Sequence, residues 1–200
     1  MTAGDLQEVL RLFVAISIPD EVRSEMIGAQ QELREPERGK LVHWTKPDQF
    51  HLTLKFLGDV PANCVEALKN AVESACADSQ VLHLRAAGIG FFPNHRAPRV
   101  IWAGIEGDRD RLMQLQSKIA GAVRPFTSEP VRENFVGHLT LGRFKAAGGR
   151  EIGELVNRAL AMQDREFGSW QAGEVEIVRS QLRPTGAVHT VLAAIALGTN

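Results

Sequence analysis

The stretch His51–Leu54 (HLTL) organises this chain, because the same four residues return at His138–Leu141. Each copy opens a short run rich in strand-forming residues, which predicts two strands. Side chains alternate between the two faces of a strand, so the histidine and the threonine of each copy share one face while the leucines bury the other. The repeat therefore predicts two strands that each present an imidazole and a hydroxyl.

These four polar side chains suit the chemistry of one small anion. In each copy the imidazole and the hydroxyl lie about 6.6 Å apart along the strand, so both reach one charged group. Near neutral pH one imidazole can be neutral while the other is protonated. The neutral ring can take a proton from an attacking water and the protonated ring can give one to a leaving oxygen. We therefore predict phosphoryl transfer, with His51 and His138 as catalytic residues and Thr53 and Thr140 as phosphate ligands.

The sequence supports a structural, metal-binding or nucleophilic role for the repeat less well than it supports acid–base chemistry. Structural duplication without chemistry would leave the same letters, and a single His-x-Thr pair on a strand is more often a solvated polar face. His51 and His138 could be two metal ligands, but no cysteine or carboxylate lies at ligand spacing beside either. Ser17 and Ser180 lack the sharp-turn context of a nucleophilic serine, and both cysteines fall on a predicted helix. We therefore expect no metal and no cofactor.

Composition indicates an ordinary globular protein. The 200 residues suit one structural unit, 1–200, and apolar residues make up 44% and charged residues 24%. A net charge of −1 means that a substrate anion must be met by local charge. The longest apolar run is far shorter than the ~20 residues of a membrane span. The acidic N-terminus argues against a secretory signal, and Cys64 and Cys76 are predicted as free thiols, so we expect a cytoplasmic protein without membrane contact.

The predicted elements favour an α+β fold. Strands and helices follow each other without the sustained regularity of a doubly wound sheet. Their near repetition predicts two antiparallel-sheet lobes related by an approximate two-fold, with the helices outside and a cleft carrying one motif on each side. The predicted strands are 11–18, 41–45, 50–57, 81–92, 99–105, 138–144, 175–182 and 189–197, and the predicted helices are 19–35, 62–77, 108–123 and 150–162.

The paired motifs resemble those of the 2H phosphoesterase superfamily. The surrounding sequence is similar to its bacterial branch, the RNA 2′,3′-cyclic phosphodiesterases, also called 2′-5′ RNA ligases of the LigT/ThpR type. The resemblance extends over about residues 11–197. The segments that carry it are 11–15 (RLFVA), 51–58 (HLTLKFLG), 92–93 (FP), 99–104 (RVIWAG), 138–143 (HLTLGR) and 180–186 (SQLRPTG).

The resemblance implies a bilobal α+β fold and metal-independent hydrolysis of a 2′,3′-cyclic phosphate on RNA or a nucleotide, leaving a 2′-phosphate. His51 would be the general acid toward the 3′ oxygen and His138 the general base. Thr53 and Thr140 would bind phosphate oxygens, and Arg143 matches an arginine that contacts phosphate in this family. We expect a monomer.

Two positions beyond the motifs raise a geometric question. Strict alternation places Gly142 rather than Arg143 on the face of His138, so a bulge or sharp twist is needed to bring Arg143 round. The same alternation places Lys55 on the face of His51, as a phosphate contact or a solvated lysine. The chain also departs from the family pattern where Gly137 replaces a usual proline, and where His189 stands near a usual tyrosine.

Several alternatives stay open from the sequence. The site could instead join or cleave 2′-5′ linkages, or the chain could be a non-catalytic module that binds RNA ends. His43, His83 and His95 are expected to be structural or solvated, although His95 could border the groove together with Arg96 and Arg99. The aromatic residues that could either stack on a base or pack in the core are Trp44, Phe92 and Trp102.

Overall fold

A computed structural model describes residues 8–34, 41–130, 134–145, 149–184 and 186–198. Over these residues the chain forms nine strands and four helices. In chain order the elements are β1 (Val9–Ser17), α1 (Asp20–Arg34), β2 (Val42–Trp44), β3 (His51–Pro61), α2 (Val65–Cys76), β4 (Leu82–Phe92), β5 (Val100–Gly107), α3 (Arg109–Ala122), β6 (His138–Phe144), α4 (Arg150–Leu160), β7 (Glu166–Ala172), β8 (Glu174–Arg183) and β9 (Gly186–Ala196).

All nine strands belong to one sheet. Their order is β7-β4-β5-β6-β3-β1-β8-β9, β2 pairs with β6, and the named strands pair antiparallel. The two motif strands, β3 and β6, are neighbours at the centre and are in register at Leu52 and Leu139. The β3–β6 pair joins β1, β8 and β9 to β5, β4 and β7. The two sheets that the sequence predicts therefore form one continuous sheet.

The helices all pack on one face of this sheet. Their apolar residues recur at helical spacing, as Val22, Met26, Ala29 and Leu33 do on α1, and they enter one core with Leu52 and the alternate residues of the strands. The opposite face carries a separate small cluster of Phe13, Ala15 and Val178. We call this helix-free side the open face.

The α+β class is confirmed, while the two lobes, their two-fold and the cleft stay predictions. Strand β7 was missed, since only Phe167 and Ala172 are buried along it and apolar residues do not alternate with polar ones. The predicted end of the first motif strand at residue 57 was wrong. Gly58 continues the strand to Pro61 with φ of 69°, a conformation that glycine adopts without a steric cost.

The structure also bears on the cysteines, on membrane-spanning helices and on groups of metal-ligating side chains. Cys64 and Cys76 are free, although Cys64 lies in the short turn before α2 rather than inside the helix. Among the described helices none is long and apolar enough to span a membrane. Within the described ranges, histidine, cysteine and acidic side chains form no cluster of three suited to a metal ion.

Candidate active site

The central strand pair brings both motifs together. Leu52 and Leu139 are fully buried on the helix face, and their neighbours along each strand therefore project to the open face. In an antiparallel pair the next residues outward lie opposite each other, so His51 flanks Thr140 and Thr53 flanks His138. The two histidines are diagonal neighbours, about 7–8 Å apart in such a pair. One small anion can therefore contact all four side chains.

The backbone fixes both imidazoles in the same orientation. Nδ1 of His51 lies 2.8 Å from the carbonyl oxygen of Gln49, and Nδ1 of His138 lies 2.8 Å from that of Val136. A carbonyl oxygen only accepts, so Nδ1–H donates in both rings and the neutral ring keeps its lone pair on Nε2. Each neutral histidine therefore has a defined tautomer, with its proton on Nδ1.

A bulge brings Arg143 onto the face of the motif. Trp102 of β5 is in register with Thr140, but the next residue, Ile101, is in register with Gly142, so Leu141 is an extra residue. Leu141 and Gly142 are both buried, and alternation resumes with Arg143 exposed on the side of Thr140. The structure therefore contains the kind of bulge that Arg143 needs in order to share the face of His138 and Thr140.

The same kind of bulge removes Lys55 from the site. Ala15 of β1 is in register with Thr53 and Val14 with Lys55, so Leu54 is the extra residue of β3. Lys55 points to the helix face, where it is 8% exposed and donates to the carbonyl oxygens of Glu129 and Pro130. The expectation that Lys55 shares the face of His51 was wrong, because the bulge reverses the alternation. Phe56 takes that place instead.

Both bulges are held by a glutamine from a helix. The side-chain amide of Gln30 on α1 donates to the carbonyl of Leu141 at 2.8 Å, and that of Gln116 on α3 donates to the carbonyl of Leu54 at 3.2 Å. A bulge displaces backbone groups from the regular ladder, and a buried carbonyl without a donor is costly. The two glutamines therefore stabilise the bulge in each motif strand.

His51 lies in a cluster of rings on the open face. It stacks on Phe13 with centroids 4.7 Å apart, and His189 of β9 meets it edge-on at 5.3 Å. The pKa of His51 is lowered to about 4, first by burial and then by repulsion from His189 and His138, while the hydrogen bond to Gln49 opposes the shift. His51 is therefore neutral at pH 7 in the ligand-free protein.

His138 lies among different rings. Phe92 meets it edge-on at 4.9 Å, and Trp102 lies 6.1 Å away. The indole of Trp102 covers Gly90, where an added Cβ would come within 2.2 Å of the ring. A cavity of about 260 Å³ extends from Trp102 past Val136 to Arg109 at the start of α3. There is therefore open volume beside the second motif.

The remaining expected residues are placed as follows. Trp44 packs against the core, with the guanidinium of Arg34 over its ring. His43 is exposed and in register with Arg143, so it shares the open face, which the sequence did not indicate. His83 is exposed on β4, and His95 is exposed in the turn between β4 and β5. Contact of His95 with a substrate stays a prediction.

Sequence reasoning did not place Phe13 and His189 beside His51. The alternation of β1 indicates that Phe13 lies on the face opposite its buried neighbours Leu12 and Val14. It does not indicate that β1 pairs with β3, nor that the β8–β9 hairpin folds over the same end. Those contacts depend on which distant strands become neighbours.

Comparison with known proteins identifies the family. A family model described as LigT like Phosphoesterase matches residues 16–102, which include the first motif. The RNA 2′,3′-cyclic phosphodiesterase of Thermus thermophilus is 33% identical over 196 residues, covering 94% of this chain and 90% of that protein. The one of Methanothermobacter thermautotrophicus is 30% identical over 189 residues, covering 94% and 99%. This chain belongs to the LigT-like phosphoesterase family.

Solved structures extend the likeness of this LigT-like chain to the second motif. The crystal structure of the Thermus thermophilus protein TT0787 superposes with a TM-score of 0.76 and 30% identity, covering 94% of this chain and 98% of that one. Escherichia coli LigT complexed with 3′-AMP superposes with a TM-score of 0.74 and 26% identity, covering 95% and 99%. The LigT-like fold therefore includes both motif strands.

Proposed function

We propose that this chain is an RNA 2′,3′-cyclic phosphodiesterase that hydrolyses a terminal cyclic phosphate to a 2′-phosphate without a metal. The observation that carries the proposal is the pair of imidazoles, each with Nδ1 bound to a carbonyl, flanking two threonines on one face. The names of the relatives in Thermus and Methanothermobacter support the substrate class. The expected substrate is RNA or a nucleotide, met by a cytoplasmic monomer.

The reaction assigns each side chain a task. A water oxygen attacks phosphorus while Nε2 of His138 takes its proton. The bond from phosphorus to the 3′ oxygen breaks, and that oxygen keeps the electron pair and receives a proton from Nε2 of His51. Thr53, Thr140 and Arg143 donate hydrogen bonds to the non-bridging oxygens, where negative charge increases. The products are a 2′-phosphate and a free 3′ hydroxyl.

The lowered pKa of His51 bears on this order of proton transfer. A neutral His51 must take up a proton as substrate binds, and a nearby phosphate anion favours that uptake because it raises the pKa of an imidazole. If the two histidines exchange roles, His51 is already in the state that a base requires. With the roles exchanged the product would be a 3′-phosphate, so the product isomer and the kinetics of the histidine variants distinguish the two assignments.

The first test is an assay of the proposed reaction. Purified protein is incubated in EDTA with a 2′,3′-cyclic mononucleotide, and separately with a short RNA that ends in a cyclic phosphate. We expect turnover on at least the RNA, with a 2′-phosphate as product and unchanged rates after chelation. Activity that EDTA abolishes would contradict the metal-free mechanism. Tight binding of the RNA end without turnover would instead indicate a binding module.

The same assay tests the 2′-5′ alternative. Ligation is the same displacement at phosphorus with a 5′ hydroxyl in place of water: the bond to the 3′ oxygen breaks and a 2′-5′ linkage forms, so the same imidazoles can serve it. Adding an RNA acceptor with a 5′ hydroxyl would then give a longer product. We expect hydrolysis to exceed ligation, since water is present at far higher concentration than any acceptor.

Arg143→Ala tests the residue that the bulge exposes. We expect kcat/KM to fall about 10–100-fold, which corresponds to the loss of one charge-assisted hydrogen bond to phosphate. The unfolding midpoint should stay the same, since Arg143 is exposed. Arg150→Ala is the matched control, because that side chain is 92% exposed on α4 and lies on the helix side of the sheet. Equal kinetics in both variants would remove Arg143 from the site.

A further inference from the structure

The two motifs are alike in backbone but differ in the rings around their histidines. Both imidazoles donate from Nδ1 to the carbonyl two residues earlier, and both strands bulge at the fourth motif residue. The edge-on neighbour of His138 is Phe92, at 4.9 Å, whereas that of His51 is His189, at 5.3 Å. The ring that meets the motif histidine edge-on is therefore titratable in the first motif and apolar in the second.

His189 is held in place by the same segment that orients His51. The carbonyl of Gln49 accepts from His51, while its side-chain amide donates to the carbonyl of Ala187, two residues before His189. Phe13 contacts both imidazoles, with its centroid 4.7 Å from that of His51 and 5.0 Å from that of His189. The three rings and Gln49 therefore form one packed unit.

We propose that His189 is a positioning residue for His51: it packs edge-on against the His51 ring, keeps that ring stacked on Phe13, and makes protonation of the two imidazoles mutually unfavourable. Two imidazolium groups 5.3 Å apart repel strongly in a partly buried site. The neighbour Phe92 exerts no such repulsion on His138. His189 thereby lowers the proton affinity of His51, and the proton affinity of an imidazole decides whether it serves as acid or base. The catalytic meaning of this inference rests on the proposed function.

Other charged groups also face this unit. On the open face they are His138 of β6 and Glu176 of β8, whose carboxyl has its pKa raised by burial and by Glu174 and is hydrogen-bonded by Ser17 of β1. Asp48, in the turn before β3, raises the pKa of His189 against the larger lowering effect of burial. Lys46 lies against Gly186 at the start of β9. All of these groups are still present in a variant at residue 189.

The test measures His51 directly, without substrate. The Cε1–H resonances of all histidines are followed by NMR against pH in the wild type, His189→Gln and His189→Phe. We expect the titration midpoint of His51 to rise by about one pH unit in both variants, because both remove the neighbouring positive charge. The matched control is His95→Gln, at an exposed turn. A His51 midpoint that moves by less than about 0.2 pH unit in both variants would overturn the proposal.

Kinetic measurements test whether His189 also positions the His51 ring. In His189→Phe the limb of the pH profile of kcat/KM that belongs to His51 should move to higher pH, while the other limb stays. In His189→Ala, which also removes the ring contact, we expect kcat to fall about tenfold at every pH, with recovery in His189→Phe. Equal kcat values in the alanine and phenylalanine variants would contradict positioning. An inactive wild type with the expected NMR shift would refute the proposed function and leave the proton coupling standing.

Discussion

His51→Ala and His138→Ala are each expected to lower kcat/KM by about 10²–10⁴-fold, the usual contribution of general acid or base catalysis. Each substitution removes the Nε2 atom that moves a proton, and neither alters the other histidine's hydrogen bond to its carbonyl. The measurement is single-turnover cleavage of an RNA ending in a 2′,3′-cyclic phosphate. Near-normal rates in either variant would refute the two-histidine mechanism.

Asparagine variants and a distant histidine control for structural effects. Asn at either position can still donate toward the carbonyl of Gln49 or Val136, so it preserves the local backbone while removing the proton-transfer group. His83→Ala alters an exposed side chain on β4 and should leave the rate unchanged. Far-UV circular dichroism and the unfolding midpoint should match the wild type for all of these proteins.

A substrate with a good leaving group assigns the two roles. A nitrophenyl phosphodiester releases a stable phenolate and needs little help from a general acid, although it still needs a base to activate water. The variant that lacks the acid should therefore lose much less activity on this substrate than on RNA. If His51→Asn is the rescued variant, His51 is the acid, as the resemblance implies. If His138→Asn is rescued, the roles are exchanged and His51 is the base.

Leu52→Ala is expected to lower the free energy of unfolding by about 2–5 kcal/mol, the range for truncating a fully buried leucine. Leu52 has 0% exposure and is in register with Leu139, which is also fully buried. The substitution leaves a cavity where β3 and β6 meet, directly beneath the four motif side chains. We therefore expect kcat to fall as well, since the strands that align the histidines lose their packing.

Urea unfolding monitored by tryptophan fluorescence gives this loss of stability. Leu182→Ala is the control, because that leucine is 74% exposed on β8 and its truncation should change stability by less than about 0.5 kcal/mol. A loss below about 1 kcal/mol for Leu52→Ala would mean that the junction between the motif strands repacks easily.

The sequence alone determined the main elements and predicted the chemistry. Alternation and repetition in the two HLTL stretches predicted both motif strands, with His51, Thr53, His138 and Thr140 on a polar face. The α+β class followed from the element order, because local periodicity reports which side chains seek the core. Catalytic roles for these residues remain predictions that the assays above decide.

Tertiary structure alone decided which further residues join the site. Arg143 reaches the open face and Lys55 leaves it because each motif strand bulges, and a bulge depends on register with a neighbouring strand and on a glutamine from a distant helix. His189 reaches His51 through the pairing of β1 with β3 and of β8 with β1. Local sequence encodes periodicity, whereas register and strand order are set by packing between segments far apart in the chain.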